Sequence, residues 1–167
     1  MPEIYIKGNY WGNYIGETDD SLTLVEYLAG KEKKEISLRE IFSDFGLDKL
    51  QGDFRHPEIS LSTTVHPEGW EISMAYAIDF ITDLAALLLE CKINGRIDLC
   101  DLIEEDLETS VWEVCITATS EEHRLINQTL QDFAAHPLEY DLSEMCQEES
   151  MLEMAEVCER MRKELYG

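Results

Sequence analysis

The clearest alternation of apolar and polar positions lies in EISLSTTVHPEGWEISMAY, residues 58–76. Two period-two runs flank His66-Pro67-Glu68-Gly69, where Pro and Gly suit a four-residue turn. Closing a hairpin there sets Val65 opposite Trp70, Thr63 opposite Ile72, Leu61 opposite Met74 and Ile59 opposite Tyr76. Every apolar residue then falls on one face, as a half-buried antiparallel pair requires.

The pattern next switches to helical spacing. In AIDFITDLAALLLECKING, Ile78, Ile81, Leu84, Leu88 and Cys91 form one stripe, with Asp79, Asp83 and Glu90 on a wetter side and Asn94-Gly95 as the stop. VWEVCITAT (111–119) reads as a strand. Trp112, Val114, Ile116 and Ala118 lie on one face and Val111 and Cys115 on the other, so apolar residues on both faces predict a central position. EIYIKGNY and RIDLCDLI read as further short strands.

Helix punctuation completes the outline. SLTLVEYLAG closes on Gly30, and SLREIFSDFG carries a Ser37/Glu40 capping box before Gly46. These two helices are expected to pack through Leu22, Val25, Leu38, Ile41 and Phe42. Thr119 and Glu122 form a second box, opening a helix through about Ala135 with Leu125, Ile126, Leu130 and Phe133 inward. After the His136-Pro137 break, Ser143 is positioned to cap a long final helix whose stripe is Met145, Leu152, Ala155, Cys158, Met161 and Leu165. The expectation is one α+β domain over residues 1–167. The hairpin and the 111–119 strand would share a largely antiparallel sheet packed on the helix near 78–93, with a long helix at the C-terminus.

Composition supports a folded chain: 167 residues with 44% hydrophobic content can bury a core without metals or disulfides. The net charge of -23, from 36 acids and 13 bases, is the outlying quantity. It argues against direct nucleic-acid binding and against an anionic membrane surface, both of which need basic patches. Cys91, Cys100, Cys115, Cys146 and Cys158 are an odd set without a CxxC pair, which fits reduced thiols in a cytoplasmic setting. The segment MPEIYIKGNYW lacks a basic region followed by an apolar one, and the apolar run in ITDLAALLLE is too short to span a bilayer.

The candidate chemistry is sparse. His56, His66, His123 and His136 are scattered, and no metal-ligand spacing, GxSxG elbow or phosphate cradle occurs, so neither cofactor nor metal nor catalytic residue is expected. Acidic surroundings would also raise a thiol pKa, away from nucleophilic use.

The charge is unevenly placed. Ile97 to Glu159 holds eighteen acids and one base, Arg124, whereas the residues before 97 hold seventeen acids and nine bases. A chain needing only solubility would intersperse lysines, as SLTLVEYLAGKEKKEISLRE does. Glu104, Glu105, Asp106 and Glu108, with Glu121 and Glu122 at the other end of the 111–119 strand, are therefore expected to contribute to a face that docks on a basic protein. The 104–108 group carries more weight, because a helix dipole accounts for Glu121 and Glu122.

Size, acidity, a mixed α+β pattern and the stretch YIGETDDSLTLVEYLAGKEKKEISLREIFSDFGL together resemble the immunity proteins of bacterial polymorphic-toxin and contact-dependent growth inhibition systems. The resemblance is one of general character over the whole chain. It implies a non-enzymatic inhibitor of a cognate toxin domain, a nuclease in particular, whose basic cleft an acidic protein can fill. Two alternatives have the same composition: an acidic adaptor or regulatory domain, and a small-molecule enzyme whose pocket gathers His66, Trp70 and nearby acids.

Overall fold

An 18-residue helix that is apolar on almost every side organises the molecule. In the computed structural model the described residues are 5–7, 10, 19–31, 33–45, 59–61, 72–74, 77–103, 113–144 and 147–166. Helices α1 (Asp19–Gly30), α2 (Leu38–Phe45), α3 (Ala77–Asn94), α4 (Leu99–Ile103), α5 (Ser120–Ala135) and α6 (Glu148–Tyr166) accompany the short strands β1 (Glu35–Ser37), β2 (Ile59–Leu61), β3 (Ile72–Met74), β4 (Ile97–Asp98) and β5 (Glu113–Thr117). The α+β class with a long C-terminal helix is as expected.

Helix α3 packs against α1, α5, α6, β4 and β5, and every residue from Phe80 to Glu90 is buried. The wetter side expected for this helix is therefore absent around Asp83 and Glu90, which are 2% and 1% exposed. A helix covered from several directions has no solvent face to keep polar. Glu90 is satisfied locally: it accepts from the Ile6 amide at 3.1 Å and from Asn94 Nδ2 at 2.5 Å. Gly95 ends the helix at φ 76°, a left-handed conformation that glycine adopts without a Cβ penalty, and its amide donates to the Cys91 carbonyl.

Strand β5 is central, as its two-sided apolar pattern predicted. The sheet order is β1-β5-β4, with β5 parallel to β1 (Ile36 beside Ile116) and antiparallel to β4 (Ile97 beside Val114). The three-stranded sheet is mixed: the β1–β5 pairing is parallel, while β4–β5 and β2–β3 are antiparallel as expected. Strand β1, within KEKKEIS, lacked a long alternating run, and its pairing partner lies some eighty positions downstream. Residues 96–103 divide into a two-residue strand and helix α4 rather than one strand.

The hairpin forms, but as a separate two-stranded sheet. Its register pairs Ile59 with Met74 and Leu61 with Ile72, two residues from the expected pairing. A two-residue slip preserves the period-two pattern, so hydrophobic alternation cannot distinguish the registers. The expected turn at 66–69 lies outside the described residues.

Of the expected N-terminal strand, EIYIKGNY, residues 3, 4, 8 and 9 lie outside the described residues, and Lys7 is a single bridge residue. Ile6 and Tyr10 are buried, and the Tyr10 amide donates to the Ile6 carbonyl at 2.8 Å. Val25, Leu38, Ile41 and Phe42 are buried as expected. Polar ties join α1 to α2: Tyr27 donates to Asp44, and Lys31 pairs with Asp44 at 2.6 Å and Glu40 at 3.2 Å. Ser37 accepts from the Glu40 amide, completing one half of its box, while the Glu40 carboxylate is occupied by Lys31 and Lys33.

The last two helices form an antiparallel pair. His123 and Asn127 near the start of α5 meet Tyr166 and Arg162 near the end of α6. The inward face of α6 is Met151, Met154, Ala155, Val157, Cys158, Met161 and Leu165. Leu152 is 47% exposed, which corrects its expected place in the stripe. Ser143 belongs to a 3-10 turn (Asp141–Glu144) and donates to the Leu138 carbonyl instead of capping α6.

Candidate functional site

The start of α5 shows how local chemistry uses acidic charge. Thr119 Oγ1 accepts from the Glu122 amide at 3.2 Å, and Glu122 Oε1 accepts from the Thr119 amide at 2.8 Å. The predicted capping box is present in both directions. Glu122 therefore serves the helix end, whereas Glu121 in the same turn is exposed. Glu104, Glu105, Asp106 and Glu108 lie outside the described residues.

Folding also brings bases to an acidic stretch that has none of its own between Arg96 and Arg124. Lys7 reaches Asp101, donating to its carbonyl at 2.9 Å and pairing with its carboxylate at 3.7 Å. Arg96 lies 3.0 Å from both oxygens of Glu113. Exposed pairs of this kind are worth less than about 1 kcal/mol each, but they reduce the local excess of charge. Sequence distance concealed the Lys7 contact.

Along α6 the charge is sorted by position. Glu148, Glu149, Glu153 and Glu156 are exposed on its first half. The second half carries Arg160, Arg162 and Lys163 beside Glu159 and Glu164: Arg162 holds Glu159 at 2.5 Å and Asn127 at 3.1 Å, Arg160 lies 5.8 Å from the Tyr10 ring centroid, and Lys163 is exposed. Arg162 keeps the Glu159 carboxyl below its ordinary range. Lys92 donates to the carbonyls of Glu164 and Leu165 at 2.9 Å each, satisfying acceptors at the helix end. Tyr5 and Tyr10 both donate to the Glu164 carboxylate, fastening the N-terminal segment to this helix. Because α5 and α6 are antiparallel, Glu121 and Glu122 sit near the basic end of α6. The exposed acids of its first half lie towards the opposite end.

Two clefts border these helices. One, of about 450 Å³, is lined by residues including Leu88, Cys91, Cys115, His123 and Tyr166. The Ile116 amide donates to Cys91 Sγ at 3.3 Å, and burial pushes the Cys91 thiol up to about 12, so it stays protonated at neutral pH. His123 Nδ1 is 3.0 Å from the Tyr166 hydroxyl, and their rings meet edge-on at 5.5 Å. His123 lies within the helix expected from Thr119 to about Ala135 and is half-buried there. The other cleft, of about 570 Å³, lies between α5 and α6 and is lined by Ala134, Leu152, Ala155, Glu156, Glu159, Arg160 and Lys163. Among the described residues no group of three or more His, Cys, Asp or Glu side chains is placed to hold a metal ion. No described helix is long and apolar enough to cross a membrane. The pocket suggested around His66 and Trp70 lies outside the described residues.

These features define a small α+β protein distinguished by the charge of its surface. The family model of Immunity protein 68 matches residues 5–165, and the chain belongs to that family. No curated protein and no solved structure matches it. Membership in an immunity-protein family implies a toxin-neutralising role and a cognate toxin as partner.

Proposed function

We propose that this immunity protein acts without catalysis, as an acidic inhibitor in the cytoplasm that docks on a basic toxin domain, a nuclease. The observation that carries this reading is the charge asymmetry of eighteen acids against one base between Ile97 and Glu159. A nuclease must neutralise phosphates and so presents cations around its site. An acidic protein complements such a cleft, and long-range attraction speeds the encounter. Fast capture matters when the partner is lethal to its producer. Glu104, Glu105, Asp106 and Glu108, with Glu121 and Glu122, are proposed as contributors to this attraction.

The test begins with the reading frame immediately upstream, expressed alone and together with this chain. Toxicity that the chain abolishes, and nuclease activity of the purified toxin domain that it inhibits, are the expected results. Changing Glu104, Glu105 and Asp106 to Lys should then slow association by about tenfold at low salt and flatten its salt dependence. Equal on-rates for the two folded proteins at low and physiological salt would remove these three acids from the docking surface.

A further inference from the structure

Two thiols from different elements meet at the cleft beside α3 and β5. Cys91, near the end of α3, and Cys115, in the middle of β5, both line it, with Leu88, Ile116 and His123. Both cysteines are partly exposed and unbridged. Their sulfurs are gathered around one residue: the Ile116 amide donates to Cys91 Sγ at 3.3 Å, and Cys115 Sγ lies 4.0 Å from the Ile116 carbonyl oxygen. Covalent geometry puts Ile116 N roughly 2.4 Å from the Cys115 Cα, so Cys91 Sγ is held within about 6 Å of that Cα. The two thiols also interact directly. Packing alone does not call for two thiols at one spot, where any small apolar side chain would fill the space. Cys100 in α4 and Cys158, buried on the inward face of α6, belong to other surroundings.

The cleft also suits a small anionic reagent. In a chain of net charge -23, no carboxylate occurs among the described residues of its lining. Lys92 supplies an ammonium there, and its two hydrogen bonds go to the carbonyls of Glu164 and Leu165. We propose that Cys91 and Cys115 form a reversible disulfide, with a low-molecular-weight disulfide such as glutathione disulfide as the oxidant. Cys115 reacts first, because burial keeps the Cys91 thiol protonated. The Cys115 thiolate attacks one sulfur of the small disulfide, which forms a mixed disulfide and releases one small thiol. Cys91 then gives up its proton and attacks Cys115 Sγ, breaking the mixed disulfide and releasing the second small thiol. Two electrons pass from the protein thiols to the small disulfide, and the two thiol protons end on its two halves. The new bond joins the central helix to the central strand. It closes a ring containing β4, α4 and the acids Asp101, Glu104, Glu105, Asp106 and Glu108. No partner is needed, so the proposal stands independently of the acidic-inhibitor reading.

The test treats the full chain in native buffer with glutathione disulfide, followed by acid quenching and mass spectrometry of intact protein and unreduced peptides. A species about 2 Da lighter is expected, with the Cys91 and Cys115 peptides joined and with both thiols restored by dithiothreitol. Cys91→Ser should stop at the mixed disulfide on Cys115, whereas Cys115→Ser should leave Cys91 unmodified. The linked natural protein should melt about 5 °C above the reduced one, because a ring of about 25 residues restricts the unfolded chain. If a serine variant melts early, the natural protein alone decides: joining of Cys91 to Cys115 should exceed every other pairing in native buffer and lose that preference in urea. No reaction, a lasting glutathione adduct on Cys115 with Cys91 free, or pairing dominated by any other cysteine would overturn the proposal. A linked form that melts at or below the reduced one would overturn it too, since the native fold would then not accommodate the bond.

Discussion

Glu90 permits a stability prediction whose sign and size follow from the contacts around it. Its side chain is 1% exposed and accepts from the Ile6 amide and from Asn94 Nδ2. Hydrogen bonds to a charged group contribute about 1.5–3 kcal/mol each, and donors left buried without an acceptor carry a desolvation cost. Glu90→Ala removes both acceptors and leaves a small cavity, so a loss of about 4 kcal/mol is expected. For a chain of this size each kcal/mol shifts melting by about 2–4 °C, placing the variant about 10 °C below the natural protein. Glu90→Met fills the volume without accepting a hydrogen bond and should lose nearly as much. Glu90→Gln keeps one oxygen and should lose about half. Thermal melting gives the size, and hydrogen exchange at the Ile6 amide, faster in the Ala and Met variants, gives the location. A Met variant as stable as the natural protein would refute the argument, since packing would then matter and the acceptor would not.

Two further outcomes test local features. Thr119→Ala should cost about 1 kcal/mol and lower melting by about 2–4 °C, whereas Thr119→Ser, which restores the hydroxyl, should stay within about 1 °C; equal melting of all three would discount the cap. Native alkylation with iodoacetamide at pH 8 should spare Cys91 and Cys158, with mass spectrometry of the labelled peptides as the readout and rapid labelling of Cys91 as the contrary result. The Cys91 thiol is raised from 9.0 to about 12, so the unfolded chain releases this proton first. Its contribution to stability is complete below pH 9 and is lost as pH rises towards about 12.

Elements whose evidence is local could be read from the sequence. The Thr119/Glu122 box needs four consecutive residues, and both of its hydrogen bonds are present. The central place of β5 followed from apolar residues on both of its faces, which require cover from both sides. What escaped was non-local. The hairpin register is degenerate under a two-residue slip, and the parallel partner of β5 is a three-residue strand distant in sequence. Asp83 and Glu90 looked like a wet face because a helical wheel contains no neighbours. They are buried because other helices and the sheet cover that side of α3. Leu152 failed in the opposite direction, being apolar at roughly helical spacing but turned out of the core. For the surface, the excess of acid was plain from the residues alone. Its distribution required the fold, which carries Lys7 to Asp101 and sets the start of α5 against the basic end of α6.

The described bases show why the excess is concentrated. Lys31 and Lys33 join α2 to the segment before it, Arg96 holds β5, Lys92 closes the end of α6, and Arg160 and Arg162 are drawn to Tyr10, Glu159 and Asn127. These six tie parts of the fold together, whereas Lys34, Arg39, Arg124 and Lys163 are exposed. On the first half of α6, the helix dipole favours Glu148 and Glu149 in the first turn. That effect fades within a turn and does not reach Glu153 or Glu156. Repulsion among exposed acids at spacings of three and four weakens an isolated helix by a few tenths of a kcal/mol per pair. The fold tolerates that cost because the opposite face of α6 is buried along its length by Met151, Met154, Cys158, Met161 and Leu165. The helix is held by its core face, and its exposed face therefore tolerates a run of acids that would weaken the same helix in isolation.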